Sequence, residues 1–201
     1  MSPRLFAKKV HRRLVALGYK IVQLPRILLY RFLSTGIVAG SPTLYQPLQT
    51  AGLGVIEFSG QVRLGVFPSP LFFSTYAFIE ARNINSKIFI GDGTWINNNF
   101  SAIAEHTSIS IGKGVLVGTG VEIFDSDFHG INIADRGSSK SDWAKPVVIE
   151  DDVFLGSNTR VLKGVTIGKG SVIANSSVVV KDIPPGVIAG GNPARVIRKL
   201  D

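Results

Sequence analysis

A chain of 201 residues, 45% of them apolar, is long enough for one well-filled core plus an appendage and too short for several domains. It contains no cysteine, which excludes a disulfide framework, a thiolate metal site and a cysteine nucleophile. The net charge of +8 would suggest nucleic acid, but residues 1–35 carry eight Lys and Arg with no acidic residue, and the remaining fourteen basic residues balance fourteen acidic ones.

Residues 1–35 are therefore expected to form a basic amphipathic helical arm. Val10, Leu14, Leu17, Ile21, Leu24 and Leu28 recur at helical spacing, while Gly18 and Pro25 predict its division into two or three short helices. No uncharged apolar run nears the ~20 residues that span a bilayer. The arm either meets an anionic membrane surface, where each Lys or Arg contributes about 1 kcal/mol, or packs its apolar face on the body or on a neighbouring subunit. No nucleic-acid motif accompanies the charge, so nucleic acid is not an expected partner. No secretory signal pattern is present, and the expected location is cytoplasmic or peripheral on the inner face of a bacterial membrane.

Residues 36–70 are rich in Gly, Pro and Ser and read as an irregular opening segment, with Phe58 and Leu64 six apart. From 71 to 183 the dominant period is six. Phe72, Phe78, Ile84, Ile90, Ile96 and Ala102 mark it first, and after a slip it resumes at Ile111, Val117 and Ile123. It then breaks for FDSDFHGINIADRGSSKSDWAKPVV, residues 124–148, a polar stretch that reads as a long projecting loop.

From Ile149 to Pro184 six hexads follow without a gap: IEDDVF, LGSNTR, VLKGVT, IGKGSV, IANSSV, VVKDIP. An aliphatic residue opens each, and Val153, Thr159, Val165, Ser171, Ser177 and Ile183 come four places later. Neither a helix nor a simple alternating strand needs this period; a short strand and a turn repeated along a parallel β-helix does. Three hexads make one coil, so Ile149 is expected to stack on Ile167, Leu155 on Ile173 and Val161 on Val179. Residues 184–201 read as a cap with a basic tail.

These hexads resemble the hexapeptide-repeat acyltransferases, and the maltose and galactoside O-acetyltransferase branch most closely. The resemblance implies an all-β core, a left-handed parallel β-helix, with the α-helical arm attached. The hand comes from the resemblance alone, since parallel crossovers are otherwise nearly always right-handed. It also implies a homotrimer whose sites lie between subunits.

The three histidines are His11 in the arm, His106 at a coil corner and His129 in the loop. No trio converges outside the arm, so the zinc-dependent carbonic anhydrase type is set aside and no metal is expected. On the resemblance His129 is the catalytic base, taking the proton of a sugar hydroxyl that attacks acetyl-CoA. The resemblance makes Asn99 a substrate contact, and Asp125 and Asp127 either orient the imidazole or bind the sugar. The DSD pattern is absent from the galactoside enzymes and is similar to polysaccharide O-acetyltransferases. Trp143 could stack on a sugar or pack in the loop. Acetyl-CoA is implied along the last coils, at Gly156, Ser157, Asn175, Lys181, Arg195 and Arg198. The expected activity is O-acetylation of a saccharide, a surface-polysaccharide or lipid-linked precursor. Its alternatives are N-acetylation of an amino sugar and a non-enzymatic membrane-tethered trimeric scaffold.

Overall fold

The computed structural model describes residues 3–200. Met1 and Ser2 of the expected arm and Asp201 of the expected tail lie outside the described residues.

The arm is a single helix, α1 (Pro3–Phe32), with Pro25 inside it, so the expected division into short helices is corrected. Pro25 removes one donor from the helical ladder, but the turns around it are held from outside. Gln23 Nε2 donates to the Phe72 carbonyl at 2.6 Å, Arg26 Nη2 donates to the Thr75 carbonyl at 2.8 Å, and the Tyr30 and Tyr76 rings meet at 4.5 Å.

Among the described residues twenty short strands follow, the first eighteen of them three to a coil. The first coil is β1 (Ile37–Ala39), β2 (Thr43–Leu44) and β3 (Leu48–Ala51), and the second is β4 (Val55–Phe58), β5 (Arg63–Leu64) and β6 (Ala77–Ala81). The third is β7 (Lys87–Ile90), β8 (Trp95–Ile96) and β9 (Ser101–Ala104), and the fourth is β10 (Ser108–Ile111), β11 (Leu116–Val117) and β12 (Glu122–Phe124). After the loop come β13 (Val147–Ile149), β14 (Phe154–Leu155) and β15 (Arg160–Val161), then β16 (Thr166–Ile167), β17 (Val172–Ile173) and β18 (Val178–Val179). Every third strand pairs in parallel with the next, giving three sheets that begin with β1, β2 and β3. β19 (Val187–Gly191) joins the second sheet beside β17, and β20 (Ala194–Lys199) pairs antiparallel with it.

The expected stacks are present: Ile149 pairs with Ile167, Leu155 with Ile173 and Val161 with Val179. Each of these six side chains is buried, which stabilises by about 2 kcal/mol per aliphatic residue. The second inward position of every hexad is buried as well. Where that position is polar, its hydroxyl satisfies a corner carbonyl: Thr159 donates to Gly156, Ser171 to Pro184 and Ser177 to Ala174.

Two expectations fail upstream. Residues 37–64 are not irregular, because β1 to β5 already lie in the three sheets. The irregular part is the short excursion between β5 and β6, whose Phe67, Phe72 and Phe73 rings pack together and receive Tyr19 of α1. The six-residue count through Phe72, Phe78 and Ile84 is also displaced. Strand β6 buries Ala77, Ile79 and Ala81, with Phe78 on its outer side, and Ile84 is 76% exposed. The inward column runs through Ile79 to Ala102, Ile123, Val161 and Val179.

Candidate active site

The loop between β12 and β13 leaves the corner that joins the third sheet to the first, and its two ends touch: Lys145 N donates to the Asp125 carbonyl at 2.8 Å. Asp125 is fully buried, and its carboxylate accepts from the backbone N–H of Glu105, His106 and Thr107 at 2.6, 3.1 and 2.7 Å and from the Thr107 hydroxyl at 3.0 Å. All of its acceptor capacity goes into holding that turn, so the expectation that Asp125 orients the imidazole or binds a sugar is corrected.

A second buried carboxylate pins the loop on both sides of the histidine. Glu105 accepts from the Ser126 hydroxyl, from the Ser139 hydroxyl at 2.9 Å and from Arg82 Nη1 at 3.3 Å. Burial pushes the Glu105 carboxyl up, but the two serine hydroxyls, with the electrostatic pull of His106 and Arg82, outweigh it and hold the group below the ordinary value of 4.5. Arg82 also lies 4.9 Å over the Phe128 ring. Asn83 Nδ2 donates to His106 Nδ1 at 3.1 Å, which places the His106 proton on Nε2, 4.0 Å from Glu105 Oε2.

His129 stands exposed beyond these anchors. Its Nδ1 lies 3.0 Å from the Arg136 carbonyl oxygen, which can only accept, so Nδ1 carries the proton and Nε2 presents a lone pair. Gly130 gives the loop its close crossing, since a Cβ there would sit 2.3 Å from that of Asp135.

His129, Asp127, Asn132, Asp142, Trp143 and Lys163 line one cleft of about 540 Å³. Lys163 Nζ donates to Asp127 Oδ2 at 2.5 Å and to the Trp143 carbonyl at 2.8 Å, tying the loop to the coil below it. Lys140 sits 4.9 Å over the Trp143 ring. The walls hold Asp127, Asp135 and Asp142 against Lys140, Lys145 and Lys163, so the cleft is polar and charge-balanced. Sequence reasoning missed Lys163 and Glu105. Lys163 had a signal: it lies one eighteen-residue coil after Lys145, at the same corner. Gly164, at φ +74°, keeps that corner open, because a Cβ would meet the Lys145 side chain at 3.0 Å.

Asn99 does not join this cleft within one chain. It sits at a left-handed corner with φ 60° and lines a separate recess of about 290 Å³ with Tyr76, Phe78, Ser101 and Glu122. Ser157 and Asn175 come together at successive turns of another corner, where Asn175 Oδ1 accepts from Ser157 N at 2.9 Å. Gly156 permits this, since its Cβ would press on Asn175 Oδ1 at 2.6 Å. Both line a recess of about 250 Å³ on the outer face of the second sheet with exposed Trp95, Leu116 and Phe154. Lys181, Arg195 and Arg198 are exposed and outside that recess; Arg195 and Arg198 lie on β20, opposite Gly190 and Ile188.

The profile of the bacterial transferase hexapeptide family, six repeats, matches residues 146–181. The galactoside O-acetyltransferase of Lactococcus lactis is 33% identical over 175 residues, covering 87% of this chain and 76% of that protein. The chain belongs to the hexapeptide-repeat acetyltransferase family. A putative acetyltransferase of Saccharomyces cerevisiae is 41% identical over 115 residues, 57% of each chain, so this chain spans little more than half the length of that relative. Among solved structures, a hexapeptide-repeat acetyltransferase of Vibrio cholerae complexed with acetyl-CoA superposes with a TM-score of 0.50 at 29% identity, covering 89% of this chain and 78% of that one. As in that family, the coils of this hexapeptide-repeat protein form a left-handed β-helix.

Proposed function

We propose that the protein transfers an acetyl group from acetyl-CoA to a hydroxyl of a saccharide. The observation that carries this reading is the His129 imidazole, whose tautomer the Arg136 carbonyl fixes at the wall of a polar, charge-balanced cleft. Acetyl-CoA supplies the activated acyl carbon. His129 Nε2 takes the hydroxyl proton as the sugar oxygen attacks that carbon, and returns it to the leaving sulfur. A neutral polyhydroxyl acceptor suits walls carrying as many carboxylates as ammonium groups, and in this reading Asp127, Asn132 and Trp143, which line the cleft, hold it. A galactoside is the acceptor in the name of the L. lactis relative.

The recess of Ser157 and Asn175 fits a pantetheine arm, with corner amides beside exposed apolar side chains. Lys181, Arg195 and Arg198 are the cations available for phosphates near that end of the stack. This recess lies on the second sheet, whereas the His129 cleft lies at the corner between the third and first. In this reading the two meet when a neighbouring copy brings its own second sheet to that corner, as in the homotrimer that the resemblance to the family implies. The acceptor class we assign is a surface-polysaccharide or lipid-linked precursor, met where the basic arm rests on an anionic membrane face.

A CoA-release assay across free sugars, nucleotide sugars and oligosaccharides tests the reading. The expected result is turnover with a saccharide acceptor that falls roughly 10²- to 10⁴-fold in His129→Ala without a change in thermal midpoint. Release with amino sugars alone would turn the reading to N-acetylation, and no release with any acceptor would leave a scaffold.

A further inference from the structure

Helix α1 has two faces, and the structure uses the one that the sequence pattern does not advertise. Tyr19, Gln23, Arg26 and Tyr30 recur at intervals of four, three and four, and each meets the aromatic excursion between β5 and β6. Gln23 is buried there, and the arm is docked through hydrogen bonds to backbone carbonyls rather than through its aliphatic side chains. Val10, Leu14, Leu17, Ile21, Leu24 and Leu28 form the other row, and all six are between 40 and 64% exposed. At 100° per residue the two rows lie about 170° apart around the helix. Docking on the body thus leaves most of the aliphatic row open to the outside, while Leu17, Ile21 and Leu24 also border a groove of about 440 Å³ shared with Leu44 and Tyr45 of the body.

Arg13, Lys20 and Arg31 follow one shoulder of this exposed row, and all three are exposed, Lys20 and Arg31 at the rims of grooves between the helix and the body. A second copy of the arm is a poor partner, because self-packing brings Arg13 and Lys20 against like charges, and residues 1–35 hold no Asp or Glu to pair with them. Among the described residues no helix is long and apolar enough to cross a membrane. We infer that the row from Val10 to Leu28 is the surface by which the protein lies on an anionic lipid bilayer, in the plane of the interface, with Arg13, Lys20 and Arg31 at the headgroups. This sharpens the placement of the arm in the proposed function and assigns the body's orientation: the docking face looks away from the lipid and carries the coils above it.

Co-sedimentation of the full chain with mixed phosphatidylglycerol–phosphatidylcholine vesicles and with phosphatidylcholine vesicles tests it. Binding is expected to the anionic vesicles and to weaken with salt. The triple variant Leu17→Gln, Ile21→Gln, Leu24→Gln keeps good helix formers and should lose roughly a hundredfold or more in partitioning. Arg13→Gln, Lys20→Gln, Arg31→Gln should lose roughly a hundredfold on anionic vesicles and little on neutral ones. The inference is overturned if the wild type stays in the supernatant, or if the Gln variant binds as the wild type does. It is also overturned if that variant lowers the oligomer mass without changing vesicle binding, which would make the row a subunit contact. Acetyl transfer to a soluble acceptor reads the His129 site alone, so failure of one assay leaves the other standing; far-UV circular dichroism confirms the helix in each variant.

Discussion

The hexads of 149–183 and the loop of 125–146 are adjacent in sequence and ordered by different means. In the hexads each inward side chain is fixed by the equivalent residue one coil above and one below, as Leu155 is between Val117 and Ile173. In the loop no such neighbours exist, and order comes from the two carboxylates at its root, Asp125 and Glu105. Stacking spreads stability over many small, similar contributions. Anchoring concentrates it in a few groups whose loss moves the catalytic candidate without unmaking the scaffold.

The contrast can be broken or sharpened by substitution. Leu155→Ala should have the largest effect on stability, about 4 kcal/mol in urea unfolding, because a fully buried column residue leaves a cavity between two coils. Activity per folded molecule should hardly change. Asp125→Ala should cost about 3 kcal/mol, since three backbone donors lose their acceptor, and here activity per folded molecule should fall as the loop root loosens. Equal specific activities for these two variants would erase the distinction.

Glu105→Gln gives a pH-dependent version of the same test. The carboxyl is held below its ordinary value in the folded protein, so its contribution is fully present above 4.5 and is lost as pH falls through the lowered folded value. The stability gap between wild type and Glu105→Gln should therefore be constant near neutrality and shrink below pH 4.5, as read by urea midpoints across pH. Trp143→Ala should give the smallest effect. It removes a cleft wall but no anchor, so KM for the acceptor should rise about tenfold or less while the unfolding midpoint stays put.

The sequence displays the hexad columns because burial there repeats with the chain. It misleads at Phe78 and Ile84 because the longer strand β6 offers its inward side at Ala77, Ile79 and Ala81, and a count of six lands on the outward neighbour or on a corner. In the loop, His129 and Trp143 are legible as residue types suited to a site, and the structure brings them to one cleft. The separate fates of Asp125 and Asp127, two residues apart, are not legible: one faces a nest of backbone donors from the preceding corner, the other faces Lys163. Glu105 is equally silent, since SAIAEHTS reads as a strand followed by an ordinary solvated turn.

The contact between the two ends of the loop has a consequence for how such a protein can change. Lys145 N bonds the Asp125 carbonyl, and β10 pairs directly with β13 as though nothing had been inserted between their coils. The loop is thus a detachable cassette on an uninterrupted spine. Its length and wall residues can be rewritten through many generations while the stack keeps its register, so acceptor choice and structural integrity can drift under separate selection.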